Sequence, residues 1–369
     1  MASPLTNPEA LLAIFKHFLL NSPEYASQIK INRCSFERFG LGCIHDTYKV
    51  SADMQPWSFV WNTFLLQRIN SDYFRQPEIL DRNYLLLCRA FSHYDRRHRL
   101  TAVRLKDGSS IHSDENGCYW RLFEFIEGSY SVNAIANNYQ AYEIARAYGD
   151  FLRAAAVIGL DEIGCAIPRL HDTSAHLGQL IESATFKHGS ERVNECAPEI
   201  DFFLKQADLI YDLAQQTQEY LPQRVTHNDT GLDNVLLDQK SQAALCAVDW
   251  DTAMPGTSAI DFGDLFRSAV SLDSDFDLSG VFEALLRGYI AGAGGLLKHL
   301  EISCFLAAGE LVSLELGIRF LVDYLCGDPV FRGRDGSSLR SCRKSIARFQ
   351  LLRNHNHELN AVLNNVLRA

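Results

Sequence analysis

The sequence contains ten cysteines but no Cys-x-x-Cys pair. They stand singly at 34, 43, 88, 118, 165, 196, 246, 304, 326 and 342, which argues against a zinc site. Several sit in apolar runs, as in Leu85-Leu86-Leu87-Cys88 and Leu245-Cys246-Ala247, where a thiol behaves as a small hydrophobe. No amino-terminal signal peptide is visible, so a reducing, cytoplasmic setting is expected. The longest apolar runs, such as Ala154 to Leu160, fall far short of the roughly 20 residues that span a bilayer. Positive charge is not in excess. The net charge of -10 disfavours nucleic acid or an anionic membrane as the main partner. Repeats, low-complexity tracts and long linkers are also missing. What remains is a globular composition, 47% hydrophobic and 22% charged, in a chain of 369 residues. That length suits two or three domains or one large two-lobed fold.

The first strong pattern is "NPEALLAIFKHFLL" at 7–20. Asn7 is a candidate N-cap, Pro8 falls in the first turn, and Leu11, Leu12, Phe15, Phe18 and Leu19 share a face. From 31 to 69 the text turns aromatic, β-branched and glycine-broken, which predicts strands. "QPEILDRNYLLLCRAF" reads as a helix with Pro77 at its start. "LTAVRL", a polar turn and "CYWRLFEFIEG" complete an antiparallel sheet by residue 128. Beyond Gly128 helical periodicity dominates, over 132–159, 197–220, 278–324 and 339–366. Only 224–252 interrupts with strand-like text. The expected architecture is α+β: a strand-rich amino-terminal lobe at 1–127, a hinge near 124–128, and a larger helical lobe at 128–369.

One stretch is unusually polar. "HNDTGLDN" at 227–234 places a histidine, two carboxylates and two amides between apolar segments. It is followed by "VLLD", the turn "QKSQ" and "AALCAVDWD", a predicted hairpin that would bring Asn234 near Asp249. Phosphoryl transfer needs a carboxylate to orient the attacking hydroxyl, and an amide and an acid to hold magnesium against the phosphates. The kinase catalytic loop has the pattern His-x-Asp-x-x-x-x-Asn, then an Asp after a hairpin. His227, Asp229, Asn234 and Asp249 fill those positions. A capped surface turn with solvated acids is the plainer alternative. Asp251 would share a strand face with Asp249, as a second metal ligand or a solvated acid. Asp261 and Asp264 would cap the next helix or brace the loop by hydrogen bonds. No activation segment ending in Ala-Pro-Glu follows, which argues against a protein kinase.

"THNDTGLDNVLLD" and "AVDWDTAMPGTSAIDFGDLFR" resemble the aminoglycoside phosphotransferase and choline kinase superfamily. "FLLQRIN", "YWRLFEFIEGS", "LHDT" and "GIRFLVDYLCGD" look like its N-acetylhexosamine 1-kinase branch. These segments spread from about residue 40 to 331. The resemblance implies a protein-kinase-like bilobal fold, ATP and magnesium as co-substrate and cofactor, and a small-molecule acceptor, best a sugar. It implies Asp229 as catalytic base, His227 as a brace, and Asn234 and Asp249 as metal ligands. The tripeptide Asp261-Phe262-Gly263 mimics a kinase metal motif, but Asp249 has the right place after the hairpin. Rival readings are a kinase for another acceptor, such as an amino alcohol, an aminoglycoside or a hydroxylated amino acid, and a catalytically silent nucleotide-binding module.

Nucleotide contacts are expected from the turn "FGLGCIH", where Gly40 and Gly42 let backbone N–H groups approach phosphates. His45 stands where the branch usually carries Asn. A third-strand lysine is missing. "TFLLQRI" offers Gln67 at its place and Arg68 next to it, on opposite faces, with Arg68 a surface charge in the plainer view. Glu78 or Asp81 would be the acidic helix partner. Glu124, Phe125 and Glu127 mark the hinge whose backbone would read adenine. For the acceptor, the candidates are His171 and Asp172, Arg319 and Tyr324. Asp172 also fits a helix cap, and Arg319 with Asp323 fits an intrahelical ion pair.

Overall fold

Asn7 opens the first helix, its Oδ1 accepting the Glu9 amide at 3.0 Å, with Pro8 at the first helical position. The computed structural model describes residues 7–25, 30–40, 44–55, 62–93, 98–331 and 337–368. The chain divides into two compact units, Met1–Gly128 and Ser129–Ala369.

In the first unit, α1 (Pro8–Asn21) precedes strands β1 (Lys30–Arg38), β2 (Asp46–Gln55) and β3 (Asn62–Arg68). Helix α2 (Pro77–Ala90), β4 (His112–Ser113) and β5 (Tyr119–Glu124) follow. The antiparallel sheet has the order β1-β2-β3-β5-β4. Its two faces differ. Tyr48, Val50, Phe64, Leu66, Trp120 and Leu122 pack with Phe15, Phe18 and Leu19 of α1. Alternation puts Thr47, Gln67, Arg121 and Phe123 on the opposite face. There Tyr84 of α2 meets the Phe123 ring edge-on at 5.8 Å. "LTAVRL" is not a regular strand. It touches β5 through a single bridge, Ala102 to Phe123, made by the Val103 amide on the Leu122 carbonyl and the Glu124 amide on the Thr101 carbonyl, while the Ala102 amide donates to the Tyr84 hydroxyl at 2.5 Å.

The second unit begins with β6 (Ser129–Tyr130) and α3 (Asn138–Ala155), then α4 (Thr173–Phe186), α5 (Glu191–Glu195), α6 (Ala197–Lys205) and α7 (Ala207–Ala214). The expected helix at 197–220 is thus two helices ending in a π turn at Gln215–Glu219. Strands β7 (Arg224–Thr226), β8 (Val235–Asp238), β9 (Ala244–Ala247) and β10 (Met254–Gly256) form two small sheets, β10-β7 and β6-β8-β9. Helices α8 (Ser258–Ala269), α9 (Leu278–Ala293), α10 (His299–Ser303), α11 (Phe305–Leu325), α12 (Ser338–Asn354) and α13 (Asn356–Arg368) complete it. Helix α11 is central. Leu311, Leu314, Ile318 and Leu321 are fully buried and pack with Phe203, Cys342 and Phe349. Among the described residues no helix is long and apolar enough to cross a membrane.

Candidate active site

The chain turns sharply after β7, and Asn228 takes a left-handed φ of 61°. Every polar atom of its side chain is used internally. Nδ2 donates to the carbonyls of Thr226, Thr252 and Met254, and Oδ1 accepts from Thr226 Oγ1. These bonds offset the cost of a conformation that side chains seldom adopt. Gly256 on the paired strand leaves room for these side chains. A Cβ there would lie 2.3 Å from Thr226 Oγ1 and 2.6 Å from Asn228 Oδ1.

The loop is then fixed from below. Asp261, in the first turn of α8, accepts the amides of His227 at 2.9 Å and Asn228 at 2.7 Å. Asp264 accepts the Thr230 amide at 2.8 Å and a bond from Arg267. Both acids therefore brace the loop. The cap of α8 is Thr257, not either aspartate. Asp261-Phe262-Gly263 lies inside that helix, so its resemblance to a metal motif is accidental. Tyr148, buried on α3, donates to the Gly231 carbonyl at 2.6 Å.

His227 is buried, and its Nε2 bonds to the Val248 carbonyl at 2.9 Å. Burial pushes its pKa down to about 4, so the ring is neutral and that nitrogen is the donor. Val248 in turn donates its amide to the Asn234 carbonyl at 2.9 Å. These two bonds tie the loop to the residue before Asp249. Asn234 Nδ2 donates to the Asp229 carboxylate at 3.2 Å and to its carbonyl at 3.1 Å. Asp229, Asn234 and Asp249 are thus drawn together from both ends of the β8–β9 hairpin. Burial, then the carboxylates of Asp264, Asp249 and Asp233, push the Asp229 pKa up to about 7.

Asp249 has a φ of 62°, and Trp250–Thr252 form a single 3-10 turn. Asp249 and Asp251 therefore do not share a strand face, because β9 has ended at Ala247 and the chain turns at Asp249. Asp251 is nonetheless buried, with 6% exposure, so the solvated-acid alternative does not apply. The residues fit a hard divalent cation. Asn234, Asp249 and Asp251 offer amide and carboxylate oxygens, the donors such an ion takes.

The acceptor candidates separate. His171 Nδ1 pairs with Glu315 Oε1 at 3.0 Å, and its Nε2 with the Asn228 carbonyl at 3.0 Å. Both ring nitrogens are committed to protein. Burial would lower its pKa, but Glu315 outweighs burial and holds it at about 9, so the ring is an imidazolium donating to both partners. Asp172 caps α4, accepting the Ala175 amide at 2.9 Å, and pairs with Arg169 at 2.8 Å. Tyr324 is buried. Its hydroxyl donates to Glu195 at 2.5 Å and Arg192 lies over its ring. Arg319 does not pair with Asp323, which instead accepts the amides of Val330 and Phe331 and the Ser338 hydroxyl. Arg319 faces Glu315 at 3.5 Å and the Phe331 ring at 5.8 Å. A chain of contacts therefore runs from Arg319 through Glu315 and His171 to Asn228, beside Asp229. Glu315, Asn228 and Tyr148 were not legible as site residues. Their partners lie up to 144 residues away in sequence.

In the first unit, Gly40 has a φ of 81°, and Gly42 lies outside the described residues. His45 Nδ1 accepts the Asn70 amide at 3.1 Å, and its ring stacks on Phe74. Arg68 is not a surface charge. It is buried on the α1 face, in an ion pair with Asp46. Gln67 is on the opposite face, bonded to Thr47 and Arg121. Asp81 accepts from the Ser110 amide and hydroxyl, and Glu78 is exposed in the first turn of α2. At the hinge, Glu124 accepts the Tyr25 hydroxyl. The Glu124 and Phe125 amides are already bonded to the carbonyls of Thr101 and Thr63, and Glu127 is exposed.

Residues 37–298 match the family model described as "Phosphotransferase enzyme family". Among solved structures, the chain is similar to the microcompartment-associated aminopropanol kinase, at 15% identity and a TM-score of 0.62, covering 95% of this chain and 98% of that one. It is similar to a Plasmodium vivax ethanolamine kinase, at 14% identity and TM-score 0.59, covering 95% and 90%. It is also similar to a spectinomycin phosphotransferase in complex with ADP and spectinomycin, at 13% identity and TM-score 0.55, covering 94% and 95%. At these identities the likeness is one of fold.

Proposed function

Because this chain belongs to the phosphotransferase enzyme family, we propose that it transfers the γ-phosphoryl group of ATP to a sugar hydroxyl, the anomeric hydroxyl of an N-acetylhexosamine. The observation that carries the kinase reading is the Asp229–Asn234 contact at 3.2 Å, on a loop whose geometry is held by Asp261 and Asp264. Asp229 orients the acceptor hydroxyl and takes its proton. The acceptor oxygen forms its bond to the γ-phosphorus, the bond to the β–γ bridging oxygen breaks, and ADP leaves. Asn234, Asp249 and Asp251 would hold magnesium, which supplies charge neutralisation at the phosphates when bound. His227 keeps Asn234 and Asp249 in register through Val248. His171 and Glu315 fix Asn228, and so the direction of Asp229.

The acceptor class rests on Arg319. Its guanidinium stands at the outer end of the Glu315–His171 chain, beside the rings of Phe320 and Phe331, which meet edge-on at 5.0 Å. A fixed cation donates to the hydroxyl or acyl oxygens of a neutral sugar and opposes an amine acceptor. The test is phosphorus NMR of products formed from ATP and magnesium with N-acetylhexosamines, choline and ethanolamine. The expected product is an anomeric sugar phosphate. Phosphate on an amino alcohol, or on another sugar oxygen, would overturn the acceptor assignment. Absence of transfer to any acceptor would overturn the kinase reading.

A further inference from the structure

The third strand lacks the cation that kinases set against the nucleotide phosphates. Gln67 stands at that position, and a neutral amide cannot replace the charge. Arg68 is excluded by geometry, since it lies on the α1 face with Asp46. One row of the sheet shows where a cation is. Thr47 of β2, Gln67 of β3 and Arg121 of β5 are direct cross-strand partners, in that order, on the same face. The row is joined by hydrogen bonds. Arg121 Nε donates to Gln67 Oε1 at 2.7 Å, Arg121 Nη2 to the same oxygen at 2.5 Å, and Gln67 Nε2 to Thr47 Oγ1 at 2.9 Å. The Thr47 carbonyl also accepts the Phe39 amide at 2.9 Å, next to Gly40. Thr47, bonded beside Gly40, and the Arg121 guanidinium are therefore the two ends of one row.

We propose that Arg121 is the phosphate-binding cation of this protein, held in the lysine's place by Gln67. The proposal rests on the nucleotide-binding reading above and names the residue that serves it. Gln67 has an oxygen aimed at Arg121 and a donor aimed at Thr47, which is the polarity needed to orient a guanidinium. A lysine at 67 would instead repel it. Arg121 is nearly buried, at 5% exposure, and its guanidinium lies over the Phe123 ring at 5.0 Å. A cation in such low-dielectric surroundings attracts an anion more strongly than one in water. The planar fork also suits two phosphate oxygens.

The test is ATP affinity by calorimetry on the full chain, with melting temperatures recorded alongside. Arg121→Met should weaken ATP roughly ten- to hundredfold, the loss of one or two charge-assisted hydrogen bonds. Adding Gln67→Lys to that variant should return the affinity to within a few-fold of wild type, because it puts the charge back on the same face. Unchanged affinity in folded Arg121→Met would overturn the proposal. So would a double variant that folds but stays more than tenfold weaker. If Arg121→Met alone melts below the assay temperature, the double variant decides the question in the same way. A wild-type chain that binds no ATP is a different failure, one that removes the nucleotide reading itself and this proposal with it.

Discussion

In the proposed reaction, the loop at 227–234 and the sheet row Thr47–Gln67–Arg121 would serve related chemical demands in opposite ways. The loop keeps every residue of the kinase pattern, and the row has exchanged its central one. A base and metal ligands act through single atoms whose positions are fixed by reaction geometry. Moving such a carboxylate to another strand moves its oxygens by several ångströms. A phosphate cation has more freedom, because a guanidinium on the neighbouring strand reaches the same space. The scaffold records the difference. Asn228, Asp261, Asp264 and Tyr148 all hold the loop's backbone, whereas the row lies on regular strands and adds bonds from side chain to side chain.

The comparison breaks most visibly at the metal end. Asp249→Ala should abolish turnover and weaken ATP in magnesium far more than ATP without it, measured by calorimetry in both buffers. Equal losses would remove Asp249 from the ligand set. Next in size is the support beneath the loop. His171→Gln removes the nearer of the two cations on buried Glu315 and leaves only Arg319 at 3.5 Å, where losing one partner of a buried pair costs up to roughly 3–5 kcal/mol. Denaturant midpoints should fall accordingly and kcat should fall with them, while ATP affinity stays near wild type. Retained stability would show that Glu315 has no need of His171.

The same pair gives a smaller, pH-dependent effect. The folded pKa of His171, about 9, lies above its ordinary value of 6.5, so its contribution to stability is complete below 6.5 and is lost as pH rises through about 9. A wild-type melting temperature that falls from pH 8 to 10, and falls less in His171→Gln, is expected. Identical slopes would contradict the imidazolium assignment. Smallest is Arg68→Leu. On the α1 face it should leave ATP affinity unchanged, with a loss of stability limited by Arg38, which remains as a partner of Asp46. A marked loss of ATP affinity would put the phosphate cation on the wrong residue.

Much of this was legible in the sequence, for local reasons. The Asn7 cap, the apolar face of α1 and the β8–β9 hairpin follow from spacing within a few residues. The pattern His227, Asp229, Asn234 and Asp249 could be read because its spacing is set by one short loop and one hairpin. What escaped depends on register or distance. Arg121 meets Gln67 across 54 residues, and only the β3–β5 pairing reveals it. Arg319 has an acid four residues away on either side, Glu315 and Asp323, and helix periodicity cannot choose between them. The choice falls to Glu315 because Asp323 is captured by the amides of 330 and 331. Asp172 had two readings, and the Ala175 amide settled the cap. Strand alternation at 249–251 failed because β9 ends at Ala247 and a left-handed residue leads into a 3-10 turn.

The central claim is that Asp229 acts as the base on the acceptor hydroxyl. The most direct measurement is single-turnover phosphoryl transfer by Asp229→Asn, with ATP and acceptor affinities determined on the same preparation. The substitution keeps size and hydrogen bonding but removes basicity. Transfer should slow by about 10²–10⁴, with both affinities changed only a few-fold. Transfer at close to the wild-type rate would contradict the account.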